Sequence, residues 1–172
     1  MFKKIVLFAL LLLPLGVMAQ ENQKIAYINS AEIISAMPEY TTMTNDIQKE
    51  VTAVESRMKE LEEEYAKKTE SFMAEAEGLS ETIRNSRLQE IQDIEERASV
   101  FNQQSQQRLQ QLQQSLFAPI VEKVNTAIQQ VGLENNYAYV LDVNPASGGG
   151  VIVYVHPNSE NATDLVKRKL GL

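Results

Sequence analysis

Between residues 40 and 72 the apolar positions fall at Tyr40, Ile47, Val51, Val54, Met58, Leu61, Tyr65 and Phe72. With Thr44 and Lys68 admitted as polar members, the spacing alternates between four and three, the repeat of a coiled-coil seam. About two residues in seven are apolar, a stripe far narrower than the face of a helix buried in a globular core. The pattern predicts a long helix, opened by Pro38 and Glu39, that stands in solvent against a single partner. Gly78 interrupts it, and Ser80 followed by Glu81 and Ile83 offers a fresh helix start, which places a turn near residues 77–80. Ile83, Leu88, Ile91, Ile94, Ala98, Phe101, Leu109, Leu112 and Leu116 then mark a return helix of similar length. Matching lengths favour an antiparallel pair on the order of 55 Å long, at ~1.5 Å per residue. Residues 102–115 are rich in Gln; because Gln forms helix well and the leucines keep their spacing, this stretch reads as a solvated helix face.

The pattern changes on both flanks of this arm. Lys24-Ile25-Ala26-Tyr27-Ile28-Asn29 reads as a strand, and Ser30 as the cap of a short helix through Ile33, Ile34 and Met37 that stops before Pro38. Pro119 removes a backbone hydrogen bond and predicts a kink. Beyond it Ile120, Val121, Val124, Ile128 and Val131 form a wider apolar face, so this end of the helix packs into a body, with Gly132 as its stop. Residues 137–143 and 151–155 are two strand-length apolar runs, predicted to pair as a hairpin across the turn-rich connection 144–150. A last helix over 162–170 is capped by Ser159 or Asn161 and closed by basic residues. The fold class is therefore α+β, mostly α: a small β-containing body from residues 24–37 and 119–172, carrying a helical hairpin arm over 38–118. A body of about seventy residues is marginal alone. Strands this apolar also ask for cover on both faces, so subunits are expected to complete one another's sheets in a homo-oligomer.

The amino terminus alters the picture of where this happens. Lys3 and Lys4 precede an unbroken apolar run over residues 5–13, followed by Pro14, Gly16, Val17 and Ala19, the pattern of an export signal cleaved after Ala19. The run is shorter than the ~20 residues of a membrane span. Residues 20–172 then form a single domain. The chain has no Cys, so no disulfide staples it and thiol redox chemistry is excluded. Its net charge of −7 becomes −9 once Lys3 and Lys4 are removed, with 14 basic residues left against 23 acidic ones. Such a surface repels phosphate backbones, which argues against nucleic acid, and it gives no electrostatic attraction toward anionic lipid; no stable membrane insertion is expected.

Enzyme chemistry needs convergent groups, and the sequence offers a single His, no Gly-x-Ser-x-Gly elbow and no phosphate-cradling loop. Gly148, Gly149 and Gly150 precede a predicted strand, the wrong place for a phosphate site. His156 has no second ligand at metal spacing. Glu62, Glu63 and Glu64 point in different directions from consecutive helical positions and cannot enclose a cation. Asn161-Ala162-Thr163 fits a glycosylation acceptor, yet helix capping accounts for Asn161 without it. No catalytic residue, metal or cofactor is expected.

The order of strand, Met37-Pro38-Glu39-Tyr40, heptad hairpin, Leu116-Phe117-Ala118-Pro119-Ile120-Val121 and Tyr139-Val140-Leu141-Asp142 resembles the Skp/OmpH family of periplasmic chaperones over nearly all of the chain after Ala19. The specificity lies in the order of these segments more than in any one of them. The resemblance implies a homotrimer in which β elements of three subunits form a small barrel, with three hairpins hanging around a cavity that holds unfolded outer-membrane proteins. In that picture Ile25, Tyr27, Tyr139, Leu141, Ile152 and Tyr154 are body and trimer-contact positions. Well-known members are basic and engage acidic clients and lipopolysaccharide partly by charge. This chain is acidic, so the lipopolysaccharide role is not carried over.

A holdase that works without nucleotide must bind many sequences weakly and release them spontaneously, which suits a large, sparsely apolar surface better than one deep pocket. The off-seam residues Met43, Met73, Leu79 and Val100 are candidates for client contact, methionine being adaptable to unlike partners. The alternative for these four is scattered surface or local packing. A coiled-coil spacer of the cell envelope is the competing functional class; it calls for denser heptads and a terminal anchor.

Overall fold

The computed structural model describes residues 23–146, 148, 152 and 154–172. The predicted export signal lies outside the described residues. The elements run β1 (Lys24–Ile28), α1 (Ser30–Ser35), α2 (Pro38–Glu75), a 3-10 turn (Ala76–Gly78), α3 (Glu81–Glu134), β2 (Tyr137–Asp142), β3 (Glu160–Asn161) and α4 (Thr163–Leu170). The α+β, mostly helical fold class holds.

The arm forms as the seam pattern requires. Pro38 occupies the first turn of α2, where its missing N–H costs nothing, and Glu39 sits beside it. The tip is closed by the 3-10 turn, and Ser80 caps α3 by accepting from the Ile83 N–H. At ~1.5 Å per residue, the 38 residues of α2 span about 57 Å. α3 is longer, at 54 residues, and its final third leaves the arm and enters the body without a break in the helix at Pro119. The lost bond there is the one to the Ser115 carbonyl. Ile120 and Val124, which follow it, are buried in the core and hold the helix in place.

The sheet has three parallel strands in the order β2-β1-β3. The predicted hairpin between residues 137–143 and 151–155 falls partly outside the described residues. The described partner of β2 is β1, and Ile152, Tyr154 and Val155 lie in no strand; Val151 and Val153 are outside the described residues. The parallel pairing of β1 with β2 has its physical reason in the arm itself. Parallel neighbours need a long crossover, and the whole of α1, α2 and α3 serves as that crossover between β1 and β2.

Beneath the sheet lies the core. Ala26 and Ile28 face inward from β1, onto Ile33, Ile34 and Met37 around α1, Ile120, Val124, Ala127 and Val131 of α3, and Ala162 and Val166 at α4. Hydrogen bonds tie the chain ends together: the Asn29 N–H donates to Thr163 Oγ1 at 3.1 Å, and the Ser30 N–H to Asp142 Oδ1 at 3.1 Å.

Three predicted helix ends move. Asn29, not Ser30, caps α1, its side chain accepting from the Glu32 N–H, while Ser30 turns inward and accepts from the Ala146 N–H. Gly132 lies inside α3, which ends two residues later. Asn136 supplies the positive φ of 54° that turns the chain into β2, a conformation Asn tolerates. α4 begins at Thr163, whose N–H is taken by the Asn161 side chain at 2.9 Å.

Candidate functional site

Two surfaces leave apolar side chains open to solvent: the arm and the outer face of the sheet. In the arm, few side chains are fully covered. Met43 (6% exposed), Leu61 (2%), Ile91 and Ile94 (2%) are the buried apolar residues, whereas Val51, Val54, Met58, Tyr65, Phe72, Phe101, Leu109 and Leu112 are only half-buried. A two-helix rod cannot seal its own seam, because each helix covers one side and leaves both flanks open. The result is a row of half-buried apolar side chains along the seam, open to water at its flanks.

Register along the rod is fixed by charge. Lys68 bonds Glu90 at 2.6 Å, Arg97 bonds Glu64 at 2.9 Å, Arg108 bonds Glu50 at 3.1 Å, and Lys123 pairs with Glu39 at the root. Each pair straddles the turn nearly symmetrically, and at the tip Arg84 donates to the Ala76 carbonyl at 2.6 Å. Every pair keeps at least one partner about two-fifths or more exposed, so they specify alignment more than they stabilise. The Lys123 hydrogen bond holds the Glu39 carboxyl below the usual carboxylate range, and Lys68 does the same for Glu90. The Glu95 carboxylate pushes the Tyr65 hydroxyl up. Within this polar stretch the Thr69 hydroxyl is buried without a partner, a local weakness of the seam.

Where the arm joins the body, a cavity of about 460 Å³ is lined by Met37, Pro38, Met43, Leu116, Pro119 and Ile120, with Glu39 and Lys123 at its rim. Met43 therefore does not face solvent, which corrects its reading as an off-seam client contact. Next to the body α2 needs a broader apolar face than a two-stranded seam, so Met43 is drawn in and Thr44, the predicted seam member, is left exposed. Of the other candidates, Met73 (73% exposed) and Val100 (43%) are on the surface and Leu79 is half-buried at the tip.

The outer face of the sheet gathers the residues named for assembly. In the parallel register Ile25 lies beside Tyr139, and Tyr27 beside Leu141. Ile25 (50% exposed), Tyr139 (59%) and Leu141 (42%) form an apolar patch open to solvent with half-buried Tyr27 among them. Tyr154 is exposed and Ile152 half-buried. A bulge between Lys24 and Ile25 lets β2 place Tyr137 and Tyr139 on opposite faces, although they are two residues apart. Tyr137 packs against the core, and burial together with the Glu160 carboxylate beside its hydroxyl pushes its pKa up to about 12.

Sequence reading missed Ser105, which is buried in the seam. The signal was the gap between Phe101 and Leu109: continuing the three-four alternation from Phe101 demands a member at 105. Among the described residues no group of His, Cys, Asp and Glu could hold a metal ion, and no helix is long and apolar enough to cross a membrane.

Comparison with known proteins agrees with this geometry. A family model described as Outer membrane protein (OmpH-like) matches residues 24–170, taking in the body and the entire arm. No curated protein matches the chain.

Proposed function

Because this chain belongs to the OmpH-like family, we propose that it is a periplasmic, ATP-independent holdase that binds unfolded outer-membrane and envelope proteins and prevents their aggregation in transit. The observation that carries the reading is the arm, a rod about 57 Å long whose seam residues are mostly half-buried. Such a surface spreads many weak apolar contacts along its length, the requirement for holding unlike sequences and releasing them without nucleotide. Acidic residues along both helices keep the slender rod solvated while its seam stays apolar.

One subunit forms an open arm and an open sheet. The patch of Ile25, Tyr27, Tyr139 and Leu141, with Tyr154 and Ile152 following in the chain, supports assembly into a homotrimer through the sheet, which sets several arms around a shared space. Met73, Leu79 and Val100 are proposed client contacts on the arms. Export by the signal over residues 1–19 places the protein in the compartment where its clients pass.

The test is direct. An unfolded outer-membrane β-barrel is diluted into buffer with the purified protein and no nucleotide, while light scattering and the mass of any complex are followed. Suppressed scattering and a stable complex support the holdase. Scattering that rises as in buffer alone favours an envelope spacer, and a monomeric mass at low micromolar concentration contradicts the oligomer.

A further inference from the structure

Charge is not spread evenly over this molecule. Residues 38–118 hold 16 of the 23 acidic side chains and 9 of the 14 basic ones that follow Ala19, so the arm carries −7 of the net −9. Most arm carboxylates are matched or scattered, but one stripe of α3 combines uncompensated acid with exposed apolar surface. Asp93, Glu96, Val100 and Gln104 recur at helical spacing on one face, and with Arg97 and Phe101 they line a groove of about 420 Å³. Val100 is 43% exposed and Phe101 half-buried, which makes an apolar floor.

The rim is acidic in net effect. Arg97 is occupied by Glu64 at 2.9 Å. Among the described residues Asp93 meets only the neutral amide of Gln89, at 2.7 Å, and Glu96 has no ion-pair partner. The spacing also suits an extended chain. Glu96 and Val100 are one helical turn apart, about 6 Å along the axis, close to the roughly 7 Å between alternate side chains of a strand.

Resting on the chaperone reading above, we propose that the Asp93–Gln104 stripe of α3 docks extended client segments that carry Lys or Arg two residues from a large apolar side chain. The apolar side chain lies on Val100 and Phe101, and the cation is drawn by Glu96 and Asp93. The arm thus selects cationic clients, the charge complement of its own surface.

The test uses the assembled full-length protein and two fluorescein-labelled peptides of repeating Leu-Ser-Arg and Leu-Ser-Glu. The Arg peptide is expected to bind at least about fivefold more tightly at low salt. The preference should vanish in Asp93→Asn with Glu96→Gln, and Val100→Ser should weaken both peptides, circular dichroism remaining unchanged in each variant. Equal binding of the two peptides, or a preference that survives the double variant, overturns the proposal. So does a change in oligomer mass in these variants, which would make the stripe a contact between arms. If the protein suppresses barrel aggregation without charge preference, only this inference falls; if it suppresses none, the chaperone reading falls with it.

Discussion

The two ends of α3 follow one continuous backbone yet live under different rules. Toward the body, Ile120, Val124, Ala127 and Val131 are sealed beneath the sheet, each nearly inaccessible. Along the arm the same helix covers Ile91, Ile94 and Ser105 and leaves Phe101, Leu109 and Leu112 half in water. Layers of sheet and helix surround the body segment, whereas only α2 accompanies the arm segment. Free energy of folding is therefore concentrated in the body, and the arm is held by a thin seam, a few exposed ion pairs and its helix propensity. A binding surface that must accept unlike sequences has reason to be built this way, since a fully satisfied seam would present nothing to a client.

The sharpest way to expose the contrast is a matched pair of truncations. Ile33→Ala, at a site with no solvent exposure, should cost about 2–5 kcal/mol and lower the urea midpoint of the whole protein. Leu61→Ala, nearly as buried but in the arm, should cost about 2–4 kcal/mol locally. Hydrogen exchange should then rise over residues 50–110 while β1 stays protected. Global unfolding by Leu61→Ala at the same midpoint as Ile33→Ala would erase the distinction.

A second contrast sets the two faces of the sheet against each other. Tyr139→Asp with Leu141→Asp loads charge onto the exposed face and should reduce the proposed assembly to single subunits, read by light-scattering mass, with the helical signal intact. An unchanged mass would remove this face from the oligomer. On the inner face, Tyr137 titrates at about 12, above its ordinary value near 10, so its contribution is complete below pH 10 and is lost as pH rises toward 12. Tyr137→Phe should flatten that alkaline loss of stability.

The smallest effects belong to the ion pairs. Glu39 and Glu90 are held below the usual carboxylate range by Lys123 and Lys68, so their contribution is present above that range and fades as pH falls through the lowered values. Lys68→Met should leave neutral-pH stability nearly unchanged and diminish the acid-dependent rise in arm exchange. A large loss of stability at neutral pH would show that charge, not the seam, closes the arm.

Much of this architecture was legible in the sequence because the arm depends on local pattern. The heptad positions, Pro38, Gly78 and Ser80 act through spacing and backbone geometry alone, and they placed both helices and the turn. The body was less legible because its contacts join the chain ends. That β2 pairs in parallel with β1 depends on the path of the whole arm, which no local run of β-branched residues encodes. Met43 was misplaced where the two regimes meet: the two-stranded period points to Thr44, but the wider face needed at the body draws Met43 inward. Ser105 was hidden for the opposite reason, since a small polar side chain can occupy a seam position that apolar counting passes over. Ile25, Tyr27, Tyr139 and Leu141, the positions proposed for assembly, lie side by side in the register of β1 and β2, because the two-residue period of a strand is itself local.

The claim that the arm, and not the body, receives unfolded chains is tested most directly by hydrogen exchange with and without an unfolded outer-membrane β-barrel. The account predicts slowed exchange along the arm segments of α2 and α3, from Val51 to Phe72 and from Ile83 to Leu112, with the inner strand β1 unchanged. Protection gained in the body while the arm exchanges as before would contradict it.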